Sequence, residues 1–104
     1  LTSFDLLVLA AGLSRAQIDK MAHARGWPDT RSVVRRPGRV KWRNPYRNHW
    51  MGSAADPDWL QAESKGLAGS YPPTDMIPYT HWYVTDIGTK VVRLRLAAIK
   101  EAAR

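Results

Sequence analysis

Apolar positions recur at helical spacing from the start of the chain, where Phe4, Leu7, Val8 and Ala11 form one stripe. Thr2 or Ser3 can cap that helix, Asp5 sits in the first turn where the helix dipole favours an anion, and Gly12 supplies a stop. Ser14 reads as a second N-cap. Behind it Ile18, Asp19, Met21 and Ala22 continue a helix that ends at Arg25-Gly26, just before Trp27-Pro28. The two helices meet at Ala-Gly-Leu-Ser, a corner like that of a helix-turn-helix, although similar corners join helices in many proteins that touch no DNA.

The periodicity then lapses. Residues 28–55 hold Pro28, Pro37, Gly38, Pro45 and Gly52, and they read as a long connection with a short strand around Ser32–Val34. Asp56-Pro57 opens a new helix, an N-cap followed by Pro at the first helical position, which runs through Trp59, Leu60 and Ala62 and stops at Lys65-Gly66-Leu67. Ser70–Pro78, with three prolines, is expected to be a loop, and Thr80–Thr85 a strand. The last segment carries two signals. Val92, Leu94 and Leu96 alternate with Arg93 and Arg95 as in a strand. Over the longer window Thr85 or Asp86 caps a helix with Ile87, Val91, Leu94 and Ala98 on one face. The helix is favoured. It then has a second stripe, Val92, Leu96 and Ile99, on the nearly opposite face, so it must be buried on both sides or meet a partner chain.

Charge changes this picture more than composition does. Between Arg31 and Trp50 stand Arg31, Arg35, Arg36, Arg39, Lys41, Arg43 and Arg47 with no acid, a formal +7 that equals the net charge of all 104 residues. Trp42, Tyr46 and Trp50 are interleaved among these cations. Lysine and arginine on phosphates are the main sequence-independent source of nucleic-acid affinity, and aromatics stack on unpaired bases. The plainer reading is a solvated loop whose aromatics anchor it to the core.

Other chemistries find little here. The chain has no Cys, which removes disulfides, thiolate metal sites and thiol nucleophiles. His23, His49 and His81 show no metal-ligand spacing, nothing sets a Ser or Thr beside a base, and Asp56 and Asp58 are better explained by helix capping than as a catalytic pair. No Gly-rich phosphate loop is present, since Arg36-Pro37-Gly38-Arg39 reads as a turn. The chain is therefore expected to be no enzyme, with no catalytic residues, no metal and no cofactor. The longest apolar run, Leu6–Ala11, is too short to span a bilayer, so no membrane partner is expected.

The order of motifs adds a resemblance. A leucine-rich first helix ending in Gly12-Leu13 is followed by Tyr46-Arg47-Asn48-His49-Trp50, then Asp58-Trp59-Leu60, Gly66-Leu67, and Tyr83-Val84-Thr85-Asp86-Ile87-Gly88. This resembles a group of small proteins of tailed phages and prophages with no agreed activity. The likeness covers most of the chain, and the Tyr46–Trp50 motif is its most specific part. The half from Gly66-Leu67 to Val84-Thr85-x-x-Gly88 also resembles the recognition helix and wing of winged-helix regulators. The chain departs from the phage pattern by extra basic sequence at roughly residues 15–41. Within the motif, Tyr46, Asn48 and Trp50 are expected to be mainly structural, and Gly88 to let a helix pass close to a neighbour.

Together these readings predict one α+β domain over residues 1–104, mostly helical with a short antiparallel sheet and winged-helix-like. Its parts are a helical pair at 1–26, a basic aromatic loop at 28–55 and a helix–strand–helix half at 56–104. The expected function is a phage-type accessory protein contacting nucleic acid nonspecifically through Arg35, Arg36, Arg39, Lys41, Arg43, Arg47 and Trp42. The competing class is a virion or assembly component, or a protein-interaction module. It would self-associate or bind another phage protein through Val92, Leu96 and Ile99, in host cytoplasm or virion.

Overall fold

Helix starts follow the local chemistry closely. Helix α1 (Ser3–Ala11) is opened by Thr2, whose hydroxyl accepts the Asp5 N–H at 3.1 Å while the Asp5 carboxylate accepts the Thr2 N–H at 2.9 Å. Helix α2 (Arg15–Ala24) repeats the device with Ser14 and Gln17. Asp56 caps α4 (Pro57–Ser64) ahead of Pro57, and Thr85 caps α5 (Asp86–Ala102) by accepting the Gly88 N–H. The computed structural model describes residues 1–38 and 47–104.

Helices α2 and α4 also end alike. Gly26 and Gly66 adopt φ of 78° and 75°, a left-handed conformation that only glycine takes at little steric cost. The N–H groups of Trp27 and Leu67, one residue further on, reach back to the carbonyls of Ala22 and Ala62, each at 2.9 Å. Both following side chains are buried, so each turn drives an apolar anchor into the core.

The connection read at 28–55 is more structured than its prolines imply. Residues Thr30–Arg35 form a helix, α3, and not a strand around Ser32–Val34. Asp29 caps it through the Ser32 N–H at 2.7 Å, Asp19 of α2 accepts the Thr30 N–H, and Val33 is fully buried. Six residues are too few for a helical period to show, and Val33-Val34 gives a misleading β signal. A short strand, β1 (Trp50–Gly52), closes the same connection.

The sheet has strand order β1-β3-β2, both pairings antiparallel, with β2 at Ala68–Tyr71 and β3 at Thr80–Val84. Ser70 and Tyr71, expected in a loop, belong to β2, where they pair with Trp82 and His81. The architecture is α+β. Trp59 of α4 and Trp82 of β3 stack at 5.8 Å and 14°, and Trp50 leans on Trp59 at 6.1 Å. Trp82 donates its indole N–H to the Ser53 carbonyl, whereas the buried Trp59 indole N–H has no partner among the described residues. Gly88 lets α5 descend onto β2's entry: a Cβ there would overlap the Leu67 carbonyl oxygen and lie 2.8 Å from a Val84 methyl.

Two expectations about helix faces are corrected. Val92, Leu96 and Ile99 lie in the core at 0%, 0% and 8% exposure and present no interface. Helix α5 is flanked by α1, α2, α3 and β3, so its second stripe finds cover within the chain, while Ile87 and Leu94 of the first stripe face outward. On α1, Phe4, Leu7 and Val8 are exposed, and Leu6, Leu9 and Ala10 turn toward the core instead. That helix is apolar nearly all round, so periodicity does not choose its face. Arg95 of α5 helps to fix it by donating to the carbonyls of Ala10 and Leu13 at 2.8 and 3.1 Å, a cation at the helix end where the dipole favours one.

Candidate nucleic-acid interface

The basic segment leaves the described structure from α3 and rejoins it at Arg47. Arg35 and Arg36 are exposed at the end of α3, and Arg31 and Arg35 are close enough to Asp29 to help lower its carboxyl pKa. The larger causes there are the hydrogen bonds from Ser32, partly offset by burial. Arg39, Lys41, Trp42, Arg43 and Tyr46 lie outside the described residues.

Arg47 is built into the fold. Its guanidinium donates to the His23 carbonyl at 3.1 and 2.7 Å, putting a cation on the C-terminal end of α2, where the helix dipole favours one. His49 follows by donating its backbone N–H to Ala24. Between them Asn48 acts as a substitute peptide group: its amide nitrogen donates to the Val84 carbonyl and its amide oxygen accepts the Val84 N–H, both at 2.7 Å. This satisfies the end of β3 beyond the three residues of β1. The structural role expected of Asn48 is met in this way, and Trp50, half-buried, ties the returning segment to α4 through Trp59.

Two clefts meet at the edge-to-face pair His23–Trp50, whose rings are 5.4 Å apart. The larger, about 450 Å³, includes Asp19, Lys20, Trp27 and Asp29 among its walls. Its charges are already matched. Asp19 and Asp29 serve α3, and Lys20 reaches Asp56 and Asp58 at 2.8 and 2.9 Å. The Asp56 hydrogen bond raises the Lys20 pKa. Burial alone would raise Asp56, but Lys20 and the N–H groups of the α4 N-terminus hold it below the usual carboxylate value. The smaller cleft, about 330 Å³, is walled by His23, Arg47, His49, Trp50 and Met51 and contains no acid. It is the better seat for an anion.

Beyond that cleft lies a surface the sequence reading missed. Strand alternation sends Trp82 and Val84 inward and His81 and Tyr83 outward, and register sets Met51 and Tyr71 on either side of His81. The outer rings form a connected series: His49–His81 at 6.2 Å, His81–Tyr71 at 5.6 Å and Tyr71–Tyr83 at 5.2 Å. Outward placement of His81 and Tyr83 was available from the alternation of Thr80–Val84. Tyr71 was not, because β2 went unread.

Helix α4, which stops just before Gly66-Leu67 and would be the recognition helix under the winged-helix resemblance, has its charges engaged within the fold. Asp58 pairs with Lys20, Glu63 accepts the Ser70 hydroxyl at 2.9 Å, and Lys65 approaches the Gly12 carbonyl at 3.4 Å. Among the described residues no group of three or more His, Asp or Glu side chains is placed to hold a metal ion, and no helix is long and apolar enough to cross a membrane. Comparison of the chain with protein-family models, curated proteins and solved structures finds no match.

Proposed function

We propose that this protein is a non-enzymatic accessory protein of the tailed-phage type that binds nucleic acid with little sequence preference. The observation that carries the reading is the acid-free, +7 segment from Arg31 to Trp50, whose described ends place Arg35 and Arg36 in solvent and Arg47 beside an acid-free cleft. One helix, α4, stands between β1 and β2, and β3 pairs between the other two strands. The engaged charges of α4 weigh against its reading bases in a major groove, which needs outward donors. Phosphate contact by the basic segment is the simpler use, and phosphates carry no base information.

Salt dependence tests this directly. Four to six phosphate contacts on a duplex give a slope of log affinity against log salt of roughly −4 to −5. Reversing Arg35 and Arg36 to Glu should flatten that slope by about two units and weaken binding equally on unrelated sequences. Absence of binding at ~50 mM salt, where cationic contacts are strong, ends the reading.

One observation favours a second reading, a virion or assembly component acting through an apolar helix. The helix in question is α1 and not α5: Phe4 is 72% exposed and Leu7 and Val8 are each 56% exposed on one face. Sedimentation as a single 11.8 kDa species would count against self-association through it.

A further inference from the structure

We infer that the outer face of the sheet is a stacking platform for the bases of a single nucleic-acid strand, an inference that rests on the nucleic-acid reading above and adds the form of nucleic acid taken. Tyr83 lies across Gly69 of β2: a Cβ at Gly69 would run into the Tyr83 ring, with Cε2 at 2.8 Å and the ring end closer still. Tyr83 therefore rests with one face against the sheet backbone. Tyr71 is tilted only 31° from it at a centroid separation of 5.2 Å, too close for rings lying side by side, so Tyr71 overlaps Tyr83 and, at 60% exposure, presents the outer face of the pair.

Covering a glycine with a cross-strand aromatic is a known way to stabilise a sheet, and that accounts for Tyr83. It does not account for Tyr71, which is 60% exposed and has no glycine opposite it in the register. His81 stands at 84° to Tyr71 and forms an upright wall between that surface and His49. Beyond His49 comes the acid-free cleft with Arg47. Rings for bases thus lead, through His81 and His49, to a fixed cation, Arg47, the combination that single-strand binders use. Charge selects the occupant, because the acid-free cleft at the Arg47 end and a net charge of +7 match a polyanion and not a neutral apolar partner. The form of nucleic acid follows from geometry. Bases within a duplex are stacked on each other and offer only their edges, whereas an unpaired strand offers base faces.

Binding of the whole protein to a labelled oligothymidine of about 16 nucleotides, and to a duplex of equal length, tests this. The single strand should bind more tightly. Tyr71→Ala should weaken single-strand binding by about 5- to 150-fold, the worth of one base stack, while leaving the duplex affinity and the salt slope unchanged. Tyr71→Phe should restore single-strand binding, since the ring and not the hydroxyl does the stacking. Phe4→Ala, which removes an exposed aromatic from α1, should have no effect. The platform is overturned if Tyr71→Ala binds the single strand like the parent, or loses the same factor on the duplex. In those cases the phosphate-binding reading still stands. If neither oligonucleotide binds at low salt, both readings fall together.

Discussion

The two faces of the sheet are made from the same short strands and use aromatics in opposite ways. On the inner face Trp82 is 1% exposed, stacked on Trp59, with its N–H satisfied by Ser53. On the outer face Tyr71 and His81 meet edge to face, and Tyr71 keeps most of its surface in water. Burial is what converts an aromatic ring into folding stability, at about 25 cal/mol per Å² of apolar surface removed from water. An inner ring is therefore committed to the fold, while an outer ring contributes little to it and can be altered by ligand binding without cost to the core.

The sharpest way to break this contrast is at the inner face. Trp82→Ala should lower stability by about 3–5 kcal/mol, since it empties the site between Trp59 and the sheet and removes the indole donor to the Ser53 carbonyl. Urea denaturation reads the loss directly. A variant that unfolds at the parental midpoint would mean that the stacked tryptophans do not hold the sheet to α4.

A smaller effect is expected at the boundary between the two faces. Asn48→Ala removes both amide bonds to Val84, a residue 2% exposed, and should cost about 2 kcal/mol as its N–H and carbonyl lose their partners. Hydrogen exchange at the Val84 amide should accelerate more than exchange at Trp82, because β1 lies opposite Trp82 but does not reach Val84. Equal acceleration at both would show that Asn48 supports the strand as a whole and not its end.

What the sequence made legible divides along the same line. Caps and stops were readable at Thr2, Ser14, Asp56, Gly66 and Thr85 because a cap is settled by a few adjacent residues. Gly88 was readable as a close-approach position. Pairing over long sequence separation was not: Gly69 and Ser70 are poor strand formers, and β2 exists because β3 offers an edge. The two stripes of α5 were seen, but which elements cover them depends on where α1, α2 and α3 dock. For the same reason Val92, Leu96 and Ile99 read as an interface although they are core. The candidate site was half legible. Its charge stood in the sequence as an acid-free run, whereas its aromatic surface needed β2 and β3 side by side.

The smallest expected effect on stability is the most informative one. Tyr71→Ala should melt within about 0.5 kcal/mol of the parent, as exposed substitutions away from caps and special backbone positions generally do. Tyr83→Ala should cost more, near 1 kcal/mol, because it uncovers Gly69 and removes a cross-strand pair. The difference between the two variants measures how much of the outer face serves the fold. If Tyr71→Ala were as damaging as Tyr83→Ala, both rings would be covering the sheet, and Tyr71 would need no ligand to explain its place. If Tyr71 is neutral, its contacts with Tyr83 and His81 add little to the fold, and its exposed face is left open for the base stacking proposed above.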